Sequence, residues 1–163
     1  MFDPCVLATA ATVVVGFLLF RNRRRGLGVA GSERRLIAIF LAGMPFVYLA
    51  RAFLVGAEHA LWFEGVAVPL FCLLAILGVV KSPWYLVAGV TSHGLAWDAW
   101  HIGRCAYVQD WYSVFCGIVD LALAAYVASR IPIYQAALGM SGDQHSAHRG
   151  PRDEPNRGPS RPA

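Results

Sequence analysis

Long apolar runs follow one another along this chain with barely a polar residue inside them. Each approaches the ~20 residues that carry an α-helix across a bilayer. They lack the strict alternation of a half-buried strand and the polar stripe of a surface helix. In lipid the backbone must satisfy its own hydrogen bonds, which leaves the helix as the economical choice. The chain is therefore predicted to be all-α, an integral membrane bundle of about five transmembrane helices.

The expected spans are Pro4 to Phe20, Arg34 to Gly56, Leu61 to Val80, Trp84 to Ile102 and Tyr112 to Ile131. The purely apolar part of the third, Val66 to Val80, is short for a bilayer. Extending it back to Leu61 brings Glu64 into the membrane. Ser32 and Glu33 read as the cap and first turn of the second span. Pro45 lies inside that span, and Pro132 is expected to end the fifth. The turn Lys81-Ser82-Pro83 joins spans three and four. From Gly139 onward the chain turns to Gly, Pro, Ser and charged residues, so 1–138 reads as the bundle and 139–163 as a disordered tail. The first run is followed by its arginines, not preceded by them, which is the reverse of a secretory signal.

Those arginines orient the bundle. Arg21, Arg23, Arg24, Arg25, Arg34, Arg35, Lys81, Arg130 and the tail arginines all fall on one side, against Arg104 on the other. Such asymmetry assigns the Arg-rich side to the cytoplasm and the N-terminus to the outside. The aromatic pairs Trp62/Phe63, Trp84/Tyr85 and Trp111/Tyr112 mark span ends. This distribution also explains the net charge of +4 without nucleic acid. The Arg21–Arg25 cluster reads as a topology anchor that can meet anionic membrane lipids. Cys5, Cys72, Cys105 and Cys116 contain no C-x-x-C pair. Cys72 reads as a core filler, and a Cys5–Cys105 disulfide on the outer side is one option.

Ionisable groups inside spans cost roughly 2.5–3.5 kcal/mol each at the bilayer centre, which makes them functional candidates. They are Arg51, Glu58, His59, Glu64, His93, Asp98, His101 and Asp120. At ~1.5 Å per residue, Asp98 lies about 4–5 Å below His101, and His93 about 12 Å below it. Asp120, on the last span, falls about level with His93. All therefore sit in the outer half of the membrane. His101 and Asp98 share a helical face, whereas His93 and His101 stand too far apart along an unbroken helix for one ion. A layered site follows. His101, Asp98 and His59, with Glu58 or Glu64, form an upper layer able to hold a divalent metal ion, and His93 meets Asp120 below. Arg51 is expected as counter-ion to Asp98 or Glu58, or as a substrate-binding group.

The segment His93-x3-Trp97-Asp98-x2-His101 follows Trp62-x-Glu64 and precedes Cys116-x3-Asp120. Here the chain resembles an uncharacterised family of small multi-pass bacterial inner-membrane proteins, a domain of unknown function, over Trp62 to Asp120. It departs where Phe63 separates Trp62 from Glu64, and where Ile102 replaces a further histidine. The resemblance implies an embedded polar site in the cell inner membrane and names no activity.

The functional expectation is an outward-facing His/carboxylate site that binds metal or works as acid and base on an apolar substrate. His93, Asp98, His101, Asp120 and Glu64 are its reacting groups. The alternative is a small proton-coupled transporter or an accessory subunit of a membrane complex, and a homo-oligomer would suit either.

Overall fold

A computed structural model describes residues 3–22 and 30–147, with the backbone alone for 22 and 138–147. The described residues are helical, with no strand. Helix α1 spans Pro4–Asn22, α2 Ala30–Leu54 and α3 Glu58–Val80. Then α4, Trp84–Ser92, passes without a break into a π-helical turn, His93–Asp98, and a last turn α5, Ala99–His101. Helix α6 runs from Asp110 to Ala147. Helices α1, α2, α3 and the 110–137 part of α6 are each long and apolar enough to cross a membrane.

Three ends differ from expectation. Helix α2 begins at Ala30, so Ser32, expected as its cap, lies inside the helix. Helix α2 stops at Leu54, and Gly56 turns the chain at φ 71°, a left-handed conformation that a side chain disfavours. Arg51 and Glu58 therefore stand on different helices, not two turns apart on one. Helix α6 does not stop at Pro132. Proline there removes one backbone hydrogen bond, and a long helix tolerates that loss as a kink. The backbone is helical through Ala147, so the first part of the expected disordered tail continues α6. The rest of the tail lies outside the described residues.

Helix α2 packs along α3, and α6 packs on α4 and the π turn, while α1 leans chiefly on α2. One core cluster joins Ile37, Leu41, Phe71, Leu86, Val90 and Val127. A second, towards the other end, joins Cys5, Tyr48, Ala52, Tyr107 and Tyr112. All four cysteines are free. Large apolar side chains such as Phe17, Phe20, Ile39, Phe53, Val66 and Ile118 point outward. An apolar exterior on this scale is foreign to a water-soluble monomer.

Glycine decides one close approach. A Cβ on Gly94 would stand 2.9 Å from the Cβ of Asp120 and 3.2 Å from the Gly117 carbonyl. Helix α6 can therefore lie this close to the π turn because position 94 is glycine; a Cβ on Gly117 would meet only ordinary contacts, at 3.5 Å and beyond. Gly43 has open space around it.

The two ends of the bundle are tied by polar contacts. Arg51 bonds Asp3 at 3.3 Å and the Tyr107 carbonyl at 3.1 Å at one end. At the other, Arg34 donates to the Val79 carbonyl at 2.6 Å. There Glu33, fully buried, accepts from Arg130 at 3.2 and 3.1 Å, from Tyr126 at 2.8 Å and from Tyr134 at 2.6 Å. Glu33 is thus a buried ionic hub that clasps α2 to α6, where the sequence suggested only a first-turn acid.

Candidate functional site

The π turn builds the site. Its hydrogen bonds reach five residues back instead of four, so residues five apart come into line. His93 and Asp98 are its first and last residues, and His93 Nδ1 lies 3.4 Å from Asp98 Oδ2. An uninterrupted α-helix would have turned Asp98 away from His93 and kept it beside His101. The expected Asp98–His101 pairing is therefore replaced by Asp98–His93.

Asp120 enters from α6, carried in by the Gly94–Gly117 approach. Its Oδ2 is 2.8 Å from His93 Nδ1, in keeping with their equal depth along the two helices. His93, Asp98 and Asp120 are 1%, 0% and 2% exposed. Each offers one ligating atom, and these atoms lie within 4.8 Å of one another. Tyr48 on α2 donates to Asp98 Oδ1 at 2.6 Å, with Ser113 3.4 Å from the same hydroxyl. Phe71 sets its ring across the imidazole of His93 at 4.9 Å.

A second cluster lies one turn towards the α5 end. The carbonyl of Trp97 can only accept, so His101 Nδ1 donates to it, at 2.7 Å. His101 Nε2 is 2.8 Å from Glu64 Oε1, which also accepts from the Tyr107 hydroxyl. Glu64 Oε2 accepts from the Trp97 indole at 3.3 Å. Tyr107 lies in the 102–109 connection. Burial first, and then its bond to Glu64, push its phenol far above the usual range, so it stays a donor. Tyr48 links the two clusters, its ring centroid 4.2 Å from that of His101.

The clusters differ in one respect that matters for chemistry. In the Glu64–His101 layer every buried side-chain polar atom has a partner. In the other, His93 Nε2 and Asp98 Oδ2 are buried without a hydrogen bond among the described residues. Buried polar groups are nearly always satisfied, and an orphan in a structured site calls for a reason. Beside the His93–Asp98–Asp120 cluster opens a cavity of about 310 Å³. Its wall is mostly apolar, with Val15, Phe40, Met44 and Val119 among its residues; Tyr48, His93 and Asp120, with Thr12, Tyr112 and Cys116, are the lining residues that carry polar groups.

The remaining candidates lie elsewhere. His59 and Glu58 are exposed at the start of α3. His59 borders a separate surface pocket with Phe63, Trp100 and Arg104, so the expected metal set of His101, His59 and Asp98 is not assembled. Arg51 answers Asp3, not Asp98 or Glu58. The sequence reading missed Tyr48, Tyr107 and Glu33. A hydroxyl such as that of Tyr48, deep within an apolar span and far from the interfacial belt, was the available signal for the first.

Comparison with known proteins finds no matching family model, no matching curated protein and no matching solved structure. Geometry alone carries the functional reading.

Proposed function

We propose that the protein is a five-span inner-membrane bundle whose His93–Asp98–Asp120 cluster performs acid–base chemistry on an apolar molecule held in the adjoining cavity. The single observation behind this is that the cluster holding two orphaned buried polar atoms, His93 Nε2 and Asp98 Oδ2, shares His93 and Asp120 with the wall of a mostly apolar cavity. Ligand sites have that composition, a mostly apolar lining with a few convergent polar groups. Glu64, His101, Trp97 and Tyr107 are saturated with one another. They serve as a positioning layer that holds α3, the helix ending at His101 and the 102–109 connection together.

The path from Trp84 to His101 is the fifth span in this reading. Helical without a break, it is about 25 Å long, enough to reach across most of the ~30 Å hydrocarbon core. The arginine asymmetry puts Glu33, Lys81 and Arg130 at the cytoplasmic end and the cluster in the outer half. In a chain cleared of its native cysteines, Arg104→Cys should react with an impermeant maleimide added outside intact cells, and Lys81→Cys should not. The opposite pattern would invert both the topology and the orientation of the site.

The cavity is tested by filling it. Gly43 lines it and has room for a side chain, so Gly43→Leu should fold normally. Solvent extraction of purified wild-type protein should release an apolar molecule in near-stoichiometric amount, and Gly43→Leu should release several-fold less. Equal recovery from both would place any bound molecule on the outer surface and end the cavity reading.

A further inference from the structure

We infer that His93, Asp98 and Asp120 form a binding site for a first-row divalent cation, zinc(II) or manganese(II), with one coordination position facing the cavity. The inference deepens the proposed acid–base site and rests on the reading of that cluster as the reacting centre.

Spacing is the first argument. Zinc binds imidazole nitrogen and carboxylate oxygen at about 2.0–2.2 Å, and a tetrahedron of that size sets its ligand atoms roughly 3.3 Å apart. His93 Nδ1 already lies 2.8 Å from Asp120 Oδ2 and 3.4 Å from Asp98 Oδ2. The remaining pair, Asp98 with Asp120, lies within 4.8 Å. Bringing three ligands to tetrahedral spacing around an open fourth position then takes side-chain movement of at most about 1.5 Å. The donor set, one imidazole and two carboxylates, suits zinc or manganese better than thiolate-seeking or all-oxygen ions.

The second argument is the orphaned oxygen. Asp98 is completely buried and its Oδ1 is oriented by the Tyr48 hydroxyl, yet Oδ2 has no hydrogen bond and faces the cluster. With only a long 3.4 Å contact to His93 Nδ1, that carboxylate oxygen is poorly satisfied in a low-dielectric interior, and a cation satisfies it directly. The Tyr48 hydroxyl is then the outer partner that aims the ligand, as such sites ordinarily possess.

Charge is the third. Two ionised carboxylates with a protonated imidazole leave the trio at a net charge of minus one. A dication in place of that proton, with a neutral imidazole, brings it to zero. Arg51, the nearest candidate to supply the missing charge by sequence, is engaged by Asp3 and the Tyr107 carbonyl. Because His93 and Asp120 also line the cavity, the open position faces the bound molecule. A water held there would be acidified by the ion and would become the acid–base group of the site.

The test uses the full-length protein, purified in detergent, stripped with chelator and reloaded with zinc chloride or manganese chloride. Elemental analysis should find about one equivalent of one of the two ions after desalting. Asp98→Asn and His93→Ala should each lower the affinity at least tenfold, and His59→Ala should leave it unchanged. Should those ligand variants fail to fold by circular dichroism, Tyr48→Phe keeps all three ligands and should weaken binding by about 10–100-fold, the range for an outer-partner loss. Folded wild-type protein that binds neither ion overturns the inference. So does binding that survives His93→Ala, or that disappears in His59→Ala. Protein that binds neither ion but still releases its apolar molecule, and less of it as Gly43→Leu, loses the metal while the cavity reading stands. Metal held at these residues with no apolar molecule released does the reverse.

Discussion

Arg130→Ala should destabilise the folded bundle by about 3–5 kcal/mol, the usual penalty for removing one partner of a buried ion pair. Arg130 is only 6% exposed, and its two bonds neutralise Glu33, which has no solvent access at all. Removing the guanidinium leaves a carboxylate in the core that accepts, among the described residues, from the Tyr126 and Tyr134 hydroxyls. A double replacement, Glu33→Met with Arg130→Met, should recover most of the loss, because a buried pair exchanged for apolar side chains of similar size is often neutral. Thermal unfolding of the detergent-solubilised protein measures both. A penalty below about 1 kcal/mol for the single variant would mark the pair as solvent-screened, with the worth of an ordinary surface salt bridge.

At the other end of the fold, Asp120→Asn should cut turnover of the cavity's molecule by about 10²–10⁴-fold, the span that a positioned acid–base group contributes. Asparagine keeps the shape and can still accept a hydrogen bond from the His93 imidazole. The variant should therefore insert, fold and retain the apolar molecule, which makes the loss specific to chemistry. The measurement is single-turnover conversion of the molecule identified by extraction, compared at equal amounts of folded protein. Full turnover in Asp120→Asn would reduce the His93–Asp120 contact to an interhelical hydrogen bond, an interaction worth about 0.6 kcal/mol on average between membrane helices.

These two clusters were unequally legible. His93 and Asp120 could be paired from sequence because helical rise converts residue number into depth, and the two fall at one level on separate helices. Asp98 was paired with the wrong histidine by a different argument, the face it shares with His101 on a regular α-helix, and the helix is not regular there. Rotation was set by the π turn at His93–Asp98, and an extra residue in a helix leaves no mark in hydropathy. Glu33 was misread for a related reason. A glutamate in the first turn of a helix has a ready explanation in the helix dipole, and nothing local announces that α6 will lay Arg130, Tyr126 and Tyr134 over it.

The helical character of the chain and, to within about one turn, the places where its long helices begin were determined by the sequence alone. Apolar run length, turn residues and the cost of unsatisfied backbone are local quantities, and they act before any helix meets another. Which polar groups would face one another was decided by the tertiary structure. The Gly94–Gly117 approach brought Asp120 to His93, and the turn at Gly56 parted Arg51 from Glu58. The lean of α1 on α2 placed Ala8, Thr12 and Val15 along the cavity wall. Each of these depends on the rotation and spacing of whole helices, fixed by packing among many side chains at once and by no single stretch of the chain.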